Sequence, residues 1–433
     1  MTSTSHWEGW FSVNDSPVTR PTRGPSPEQL EKYRRCAILH VDMDMFYVGV
    51  ELLRTPQHRG KPVIVAGLGP RSVVLSASYE ARKFGVNSAM PLVQARAACP
   101  HAVVLEPHRE DYTYYSGLVM GMFRDITDRV EQLSVDEAFL DVSSAIRRLG
   151  PPAVIARRIR AEIENSTGLT ASVGVAETKT VAKIASAYCK PNGLLIVEPQ
   201  HTLAFLAQLP VTKLWGVGKR TAAILKGAGL STVGDIARTP VTRLRSLVGD
   251  AAGHHLHQLA NGHDPRPVTP VREEKSLGAE RTFDKDISDT AQLKRVLLGL
   301  SHDTAARLRR HGLRAERVGL KLRYSDFSTI SRSRTLNHPI TSAHDLYTES
   351  AALLDHLGPR KQSVRLLGVR AEKLAAADYA LQLSLDGREE EWGAAEQAMD
   401  RVHSRFGPGV VRPAKLLDPT VPNRSAGDIL DNT

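Results

Sequence analysis

Four carboxylates are placed where they could do chemistry together. In HVDMDMFYVGVE, Asp42 and Asp44 lie two apart in a stretch that reads as a strand, so both face one side. In QLSVDEAFLDVS, Asp136 and Glu137 sit between two apolar half-strands that read as the arms of a tight hairpin. An acidic apex between buried arms is costly unless it is paired or metal-bound, and neighbouring residues reach one site only at a turn or bulge. The plainer alternatives are edge residues for the first pair and a solvent-exposed tip for the second. Hard carboxylate oxygens suit Mg²⁺, which shares its shell with water and substrate phosphates. Two such ions can activate a hydroxyl nucleophile and stabilise a leaving pyrophosphate.

Cations suited to phosphate accompany these acids. In SYEARKFGV, Tyr79 and Arg82 are three apart on a predicted helix and share a face, and the planar fork of Arg suits a triphosphate. In AKIASAYCKPNG, Lys190 precedes Pro191, Asn192 and Gly193, a turn that can aim its amine into a cleft. Either feature alone is ordinary surface decoration. His254, His255 and His257 have no Cys or clear acidic partner to complete a ligand set and read as surface or packing residues.

The elements that must position these groups follow from apolar patterning. CAILHVDMDMF, KPVIVA at 61–66 and SVVLSAS at 72–78 read as strands, and YEARKFGV as a helix ending near Gly85. Between His201 and Asp264 the strand signal vanishes, and Leu, Ala and Val spacing with Gly216, Gly218, Gly227 and Gly229 predicts several short helices. Pro265, Pro267 and Pro270 then favour an extended linker. Residues 275 to about 385 begin a further α+β unit, with helices near 289–311 and 343–357 and strands in RVGLKLRYSD and SVRLLGVRAEKL. Residues 1–35, rich in Ser, Thr, Pro and Arg, read as a flexible extension. At 433 residues the chain suggests about three domains. A formal charge of +10 points to a polyanionic partner, weakly by itself. Cys36, Cys99 and Cys189 form neither a zinc pattern nor a disulfide framework and suit a reducing compartment. With no signal peptide or membrane-spanning run, the expected location is the cytoplasm.

Taken in order, HVDMDMFYVGVE, ASYEARKFGV, LSVDEAFLDVS, SVGVAETKTVAKIAS, KPNG, LWGVGKRTAAIL and RTFDKDISD resemble the Y-family DNA polymerases, most closely the DinB or DNA polymerase IV branch. The resemblance runs from about residue 36 to 385. It implies a multidomain α+β right-hand polymerase: palm at 36–45 and 108–197, small fingers at 46–107, helical thumb at 198–263, linker at 264–274, little finger at 275–385 and tail at 386–433. The implied activity is template-directed, low-fidelity translesion synthesis on primer-template DNA from deoxynucleoside triphosphates, without proofreading. Asp42, Asp136 and Glu137 become the catalytic, metal-binding carboxylates, with the Met43 carbonyl as a further ligand to two Mg²⁺ ions, Mn²⁺ being able to substitute. Asp44 becomes a supporting residue. Ser76, Tyr79, Arg82 and Lys190 would hold the triphosphate, and Tyr47 would be the steric gate beneath the sugar, with Phe46 beside it. LWGVGKRTAAIL resembles a helix-hairpin-helix in which Gly216 and Gly218 let backbone N–H groups approach a DNA phosphate beside Lys219. Arg332 and Arg334 fall in the basic little finger expected to track the phosphate backbone.

The sequence departs from the family in two places. Thr178 stands where Asn is usual. In YALQLSLDG, Gln382, Leu383 and Leu385 resemble a peptide that binds the bacterial sliding clamp, but Asp386 replaces the usual aromatic anchor and weakens the match. A monomer is expected. The competing function is a catalytically silent DNA-binding or clamp-linked adaptor, which the retained acidic set and triphosphate cations oppose.

Overall fold

The computed structural model describes residues 26–271, 273–377, 388–407 and 410–416. Five strands build the first sheet: β1 (Ile38–Met43), β5 (Val130–Gln132), β6 (Glu137–Asp141), β7 (Ala171–Ala176) and β8 (Leu194–Ile196), in the order β5-β6-β1-β7-β8. β1 is central and antiparallel to both neighbours. Its Leu39, Val41 and Met43 are buried on one face and His40 on the other, so helices must cover both sides. The helix Pro152–Thr167 does so on the first face with Ile155, Ala156, Ile159 and Ile163, whose spacing makes a single apolar stripe. Each such buried Leu or Ile contributes about 1.5–3 kcal/mol.

The helix Lys179–Tyr188 covers the other face, and its approach is set by a glycine. A Cβ at Gly174 on β7 would lie 2.0 Å from the Ala182 carbonyl oxygen and 2.5 Å from the Ser186 nitrogen. Backbone therefore packs on backbone here.

A smaller sheet is formed by β2 (Val63–Ala66), β3 (Val74–Ala77) and β4 (Val103–Leu105), ordered β3-β2-β4. The helices between Thr202 and Ala260 follow as expected, with only an isolated bridge, Pro210 to Thr232, in place of strands. After them, residues 264–269 run back across the first sheet's helix. Asp264 accepts hydrogen bonds from the Thr180 amide (3.2 Å) and hydroxyl (2.7 Å), the Arg266 guanidinium lies 4.3 Å over the Trp215 ring, and Glu131 on β5 accepts from the Thr269 N–H at 2.9 Å. The buried Lys179 ties both partners, donating to Glu131 at 2.5 and 2.7 Å and to the Pro267 carbonyl at 3.2 Å.

The described residues from 273 onward form a separate unit. Its sheet, β9 (Ser276–Ile287), β10 (Leu313–Tyr324), β11 (Thr329–Ile340) and β12 (Val364–Ala376), is antiparallel with order β11-β10-β12-β9. Leu293, Leu297, Leu300 and Leu354 from the helices Thr290–Arg310 and Ala343–Asp355 pack against Leu320, Leu322, Leu367 and Val369 of the sheet. The helix Arg388–Phe406 joins this unit through Glu396, which pairs with Arg309 and accepts from the Ala343 N–H at 2.8 Å.

One sequence expectation is corrected. Residues 27–34, assigned to a flexible extension, form the helix Pro27–Arg34: Ser26 and Gln29 make a reciprocal capping box, and Leu30 and Tyr33 pack on the main core. By their contacts the described residues fall into two compact units that part near residue 272. Within the first, Val181, Ala182 and Ile184 pack in one cluster with Phe205, Leu206 and Leu256. Among the described residues no helix is long and apolar enough to cross a membrane.

Gly174→Ala is predicted to lower unfolding free energy by about 3 kcal/mol or more, because backbone must move to admit the methyl group. Gly117→Ala, at an exposed helical position with nothing near its Cβ, should instead raise it by about 0.5–1 kcal/mol. Denaturant unfolding of both variants decides the point, and equal effects would remove the packing argument.

Candidate active site

Strand register brings the acids together. Asp42 is the direct cross-strand partner of Glu137, so their side chains share a face, and the Met43 N–H donates to the Asp136 carbonyl at 3.0 Å. Asp136 occupies the turn between β5 and β6, and Glu137 is the first residue of β6. The expected hairpin apex is thus at the end of β1. β1 stops at Met43, and the left-handed Met45 (φ 40°) swings the chain into the helix Phe46–Arg54.

Each carboxylate has distinct company. Lys190 donates to Asp42 Oδ1 at 2.6 Å and to the Met43 carbonyl at 3.0 Å. Burial pushes the Asp42 carboxyl above its ordinary value against the pull of that ammonium, and Asp136 adds to the rise. Burial likewise raises Asp136, with Glu137 adding repulsion and the Ser134 hydroxyl, 2.5 Å away, opposing it. Glu137 goes the other way. Burial alone would raise it, but His40 (3.4 Å) and the Lys183 ammonium (2.5 Å) hold it at about 2.

Among the described residues, the group whose ligand atoms lie mutually within 4.8 Å is His40, Asp42 and Glu137. Asp136 lies outside that group. Nothing local in the sequence marks His40 or Lys183 as part of the site. His40 is fully buried, with Nδ1 2.7 Å from the Ser186 hydroxyl, and burial lowers its pKa. The Asp42, Asp136, Glu137 and Met43 oxygens are hard donors of the kind a divalent cation takes, and Lys190 already draws positive charge to two of them.

Asp44 is buried and fully engaged. It accepts from Tyr79 Oη (3.0 Å), Thr170 Oγ1 (3.0 Å), Ser172 Oγ (2.9 Å) and the Asn192 N–H (2.7 Å). It therefore fastens the Tyr79 helix and the turn that carries Lys190. Gly193 closes that turn, where a Cβ would lie 1.9 Å from the Cys189 carbonyl oxygen.

Arg82 stacks 4.7 Å over the Tyr79 ring and donates Nε to the Ala77 carbonyl at 2.9 Å, and Ser76 is buried on β3. Phe46 is buried with its ring 5.7 Å from that of the half-buried Tyr47. Gly216 (φ 92°) and Gly218 precede the helix Lys219–Gly227, and Lys219 is exposed at its start. Arg332 and Arg334 are exposed on β11 of the second unit. His254 and His255 are exposed and His257 is partly buried. Gln382, Leu383 and Leu385 lie outside the described residues.

The family model described as impB/mucB/samB matches residues 41–187, its C-terminal domain matches 274–385, and the IMS family HHH motif matches 199–230. A protein named DNA polymerase IV from Desulfatibacillum aliphaticivorans is 42% identical over 383 residues, covering 88% of this chain and 96% of its own. Among solved structures, "Y-family DNA polymerase chimera Dbh-Dpo4(243-245)-Dbh" is similar with TM-score 0.72 and 28% identity, over 78% of this chain and 99% of that one. "Insertion ternary complex of Dbh DNA polymerase" is similar with TM-score 0.58 and 27% identity, over 77% and 98%.

The four bonds to Asp44 give a stability prediction. Asp44→Asn must turn an NH₂ group toward donors and should cost about 1–3 kcal/mol. Asp128→Asn, at an exposed position, should stay within about 0.5 kcal/mol. Urea denaturation measures both, and matching values would show that the Asp44 contacts contribute nothing particular.

Proposed function

The chain belongs to the impB/mucB/samB family as a Y-family DNA polymerase of the DNA polymerase IV branch, and on that premise we propose how its residues copy DNA. It is a DNA-directed DNA polymerase of the low-fidelity, translesion kind, extending a primer on a template with deoxynucleoside triphosphates and using divalent metal. The observation that carries the residue-level reading is the register of Asp42 against Glu137 with Asp136 in the adjoining turn.

Asp42, Asp136, Glu137 and the Met43 carbonyl would hold two Mg²⁺ ions, with Mn²⁺ able to replace them. Bound there, the ions supply Lewis acidity toward the primer 3′ hydroxyl and the leaving pyrophosphate. Lys190, on a flexible stem, reaches from Asp42 to a triphosphate oxygen, and Arg82 presents its fork alongside Tyr79. Ser76 adds a hydroxyl near the phosphates. Tyr47 forms the floor under the sugar, with Phe46 packed beside it.

In this reading residues 36–45 and 108–197 are the palm, 46–107 the fingers, 198–263 the thumb and 275–385 the little finger. Gly216, Gly218 and Lys219 contact a DNA phosphate at the helix Lys219–Gly227, while Arg332 and Arg334 follow the backbone from β11. The protein works as a monomer in the cytoplasm. Its Gln382, Leu383 and Leu385 bind the sliding clamp weakly, since Asp386 must be desolvated where an aromatic would fill a pocket.

Asp136→Ala should lower single-nucleotide insertion by about a thousandfold, the factor that accompanies several kcal/mol of lost transition-state stabilisation, while primer-template affinity stays near wild type. Primer extension and fluorescence anisotropy measure the two quantities. Near-normal extension would overturn the assignment of Asp136.

Tyr47→Ala should retain deoxynucleotide insertion but reduce discrimination against ribonucleotides by about two orders of magnitude. Tyr47→Phe keeps the ring and most of the selectivity. Rates that fall together with an unchanged selectivity ratio would leave Tyr47 a packing role only.

A further inference from the structure

Tyr47 does not stand alone. Its ring stacks on that of Tyr112 with centroids 4.3 Å apart and planes inclined by 26°. Tyr112 comes from the first turn of the helix Arg109–Ile126, far from Tyr47 in sequence, and is buried. Its hydroxyl donates a short hydrogen bond to Glu51 Oε1 and accepts from the His108 N–H at 3.2 Å. Glu51 is 2% exposed, and it also accepts from the His108 N–H at 2.9 Å and lies 2.8 Å from His108 Nδ1 through Oε2.

The arrangement is a closed clip. Tyr47 and Glu51 are four residues apart on the helix Phe46–Arg54 and so face the same way. Tyr112 touches one through its ring and the other through its hydroxyl. A buried carboxylate carries a desolvation cost that must be met by hydrogen bonds, and here three donors from one short segment meet it, at the start of a long helix whose dipole favours negative charge. Burial first, and then the Glu51 acceptor, hold the Tyr112 hydroxyl far above the ordinary phenol range, so it remains a donor. With its hydroxyl anchored, the Tyr112 ring cannot slide, and it backs the Tyr47 ring from behind.

We propose that Glu51 and Tyr112 are positioning residues for ribonucleotide exclusion, fixing the height of the Tyr47 ring by a hydrogen-bonded stack. The proposal rests on the reading of Tyr47 as the steric gate. A gate that rejects one added oxygen works by overlap of a few tenths of an ångström, so the stiffness behind the ring decides how sharply it rejects. Neither residue touches the carboxylates or the triphosphate cations through any bond described above.

The test is the ratio of kcat/KM for a matched deoxynucleotide to that for its ribonucleotide, in wild type, Tyr112→Phe, Glu51→Gln, their double variant and Tyr47→Ala, each with a thermal midpoint. Tyr112→Phe keeps the ring and removes only the hydroxyl. Glu51→Gln keeps one acceptor oxygen and the side-chain volume, which protects the fold. We expect each single variant to lower the ratio about tenfold through a rise in ribonucleotide kcat/KM, and the double variant to lower it no further than either single one, since both break the same anchor. Thermal destabilisation with an unchanged ratio in both single variants, while Tyr47→Ala does change it, would overturn the clip and leave the gate standing. An unchanged ratio in Tyr47→Ala would overturn the gate itself and the clip with it.

Discussion

Negative charge crowded at one end of a buried strand is the constraint that shapes this molecule. At an effective dielectric of about 20, two unit charges 4 Å apart repel by about 4 kcal/mol, a large part of a domain's net stability. The fold answers with a cation or a set of neutral donors for four of the acids, Lys190 for Asp42, Lys183 for Glu137, Lys179 for Glu131, and two hydroxyls, a phenol and a backbone N–H for Asp44, and with the Ser134 hydroxyl alone for Asp136. Lys179 and Lys183 are four apart on one helix and serve adjacent strands β5 and β6. That helix can reach them only because Gly174 lets its backbone lie against β7. Three oxygens of the site, on Asp42, Met43 and Glu137, thus have ammonium groups within hydrogen-bond distance.

How far the sequence carries depends on whether a feature is local. The Asp136–Glu137 turn was legible because apolar arms on both sides define a hairpin without reference to the rest of the chain. The helices from Thr202 to Ala260 and the extended course of the Pro-rich segment after them were legible for the same reason. His40 was not, because its burial and its meeting with Glu137 depend on cross-strand neighbours and on a helix more than 130 residues away, through Ser186 and Lys183. Glu51 reads as one acid on an amphipathic helix until Tyr112 and His108 arrive from a distant segment. The helix Pro27–Arg34 had a signal, Ser26-Pro27-Glu28-Gln29, that composition masked. The break between the units was marked by Pro265, Pro267 and Pro270, whereas the core shared by the helix Lys179–Tyr188 and the following helices leaves no mark in local pattern.

The crossing of residues 264–269 has a mechanical consequence. Because the Thr269 N–H is held by Glu131 and the Pro267 carbonyl by Lys179, tension on the backbone at Val271 is resisted first by β5 and by the helix under β7. Glu131 belongs to the strand that runs into the turn of Asp136 and Glu137, so the chain leaving this unit is moored to the same hairpin that carries the acids.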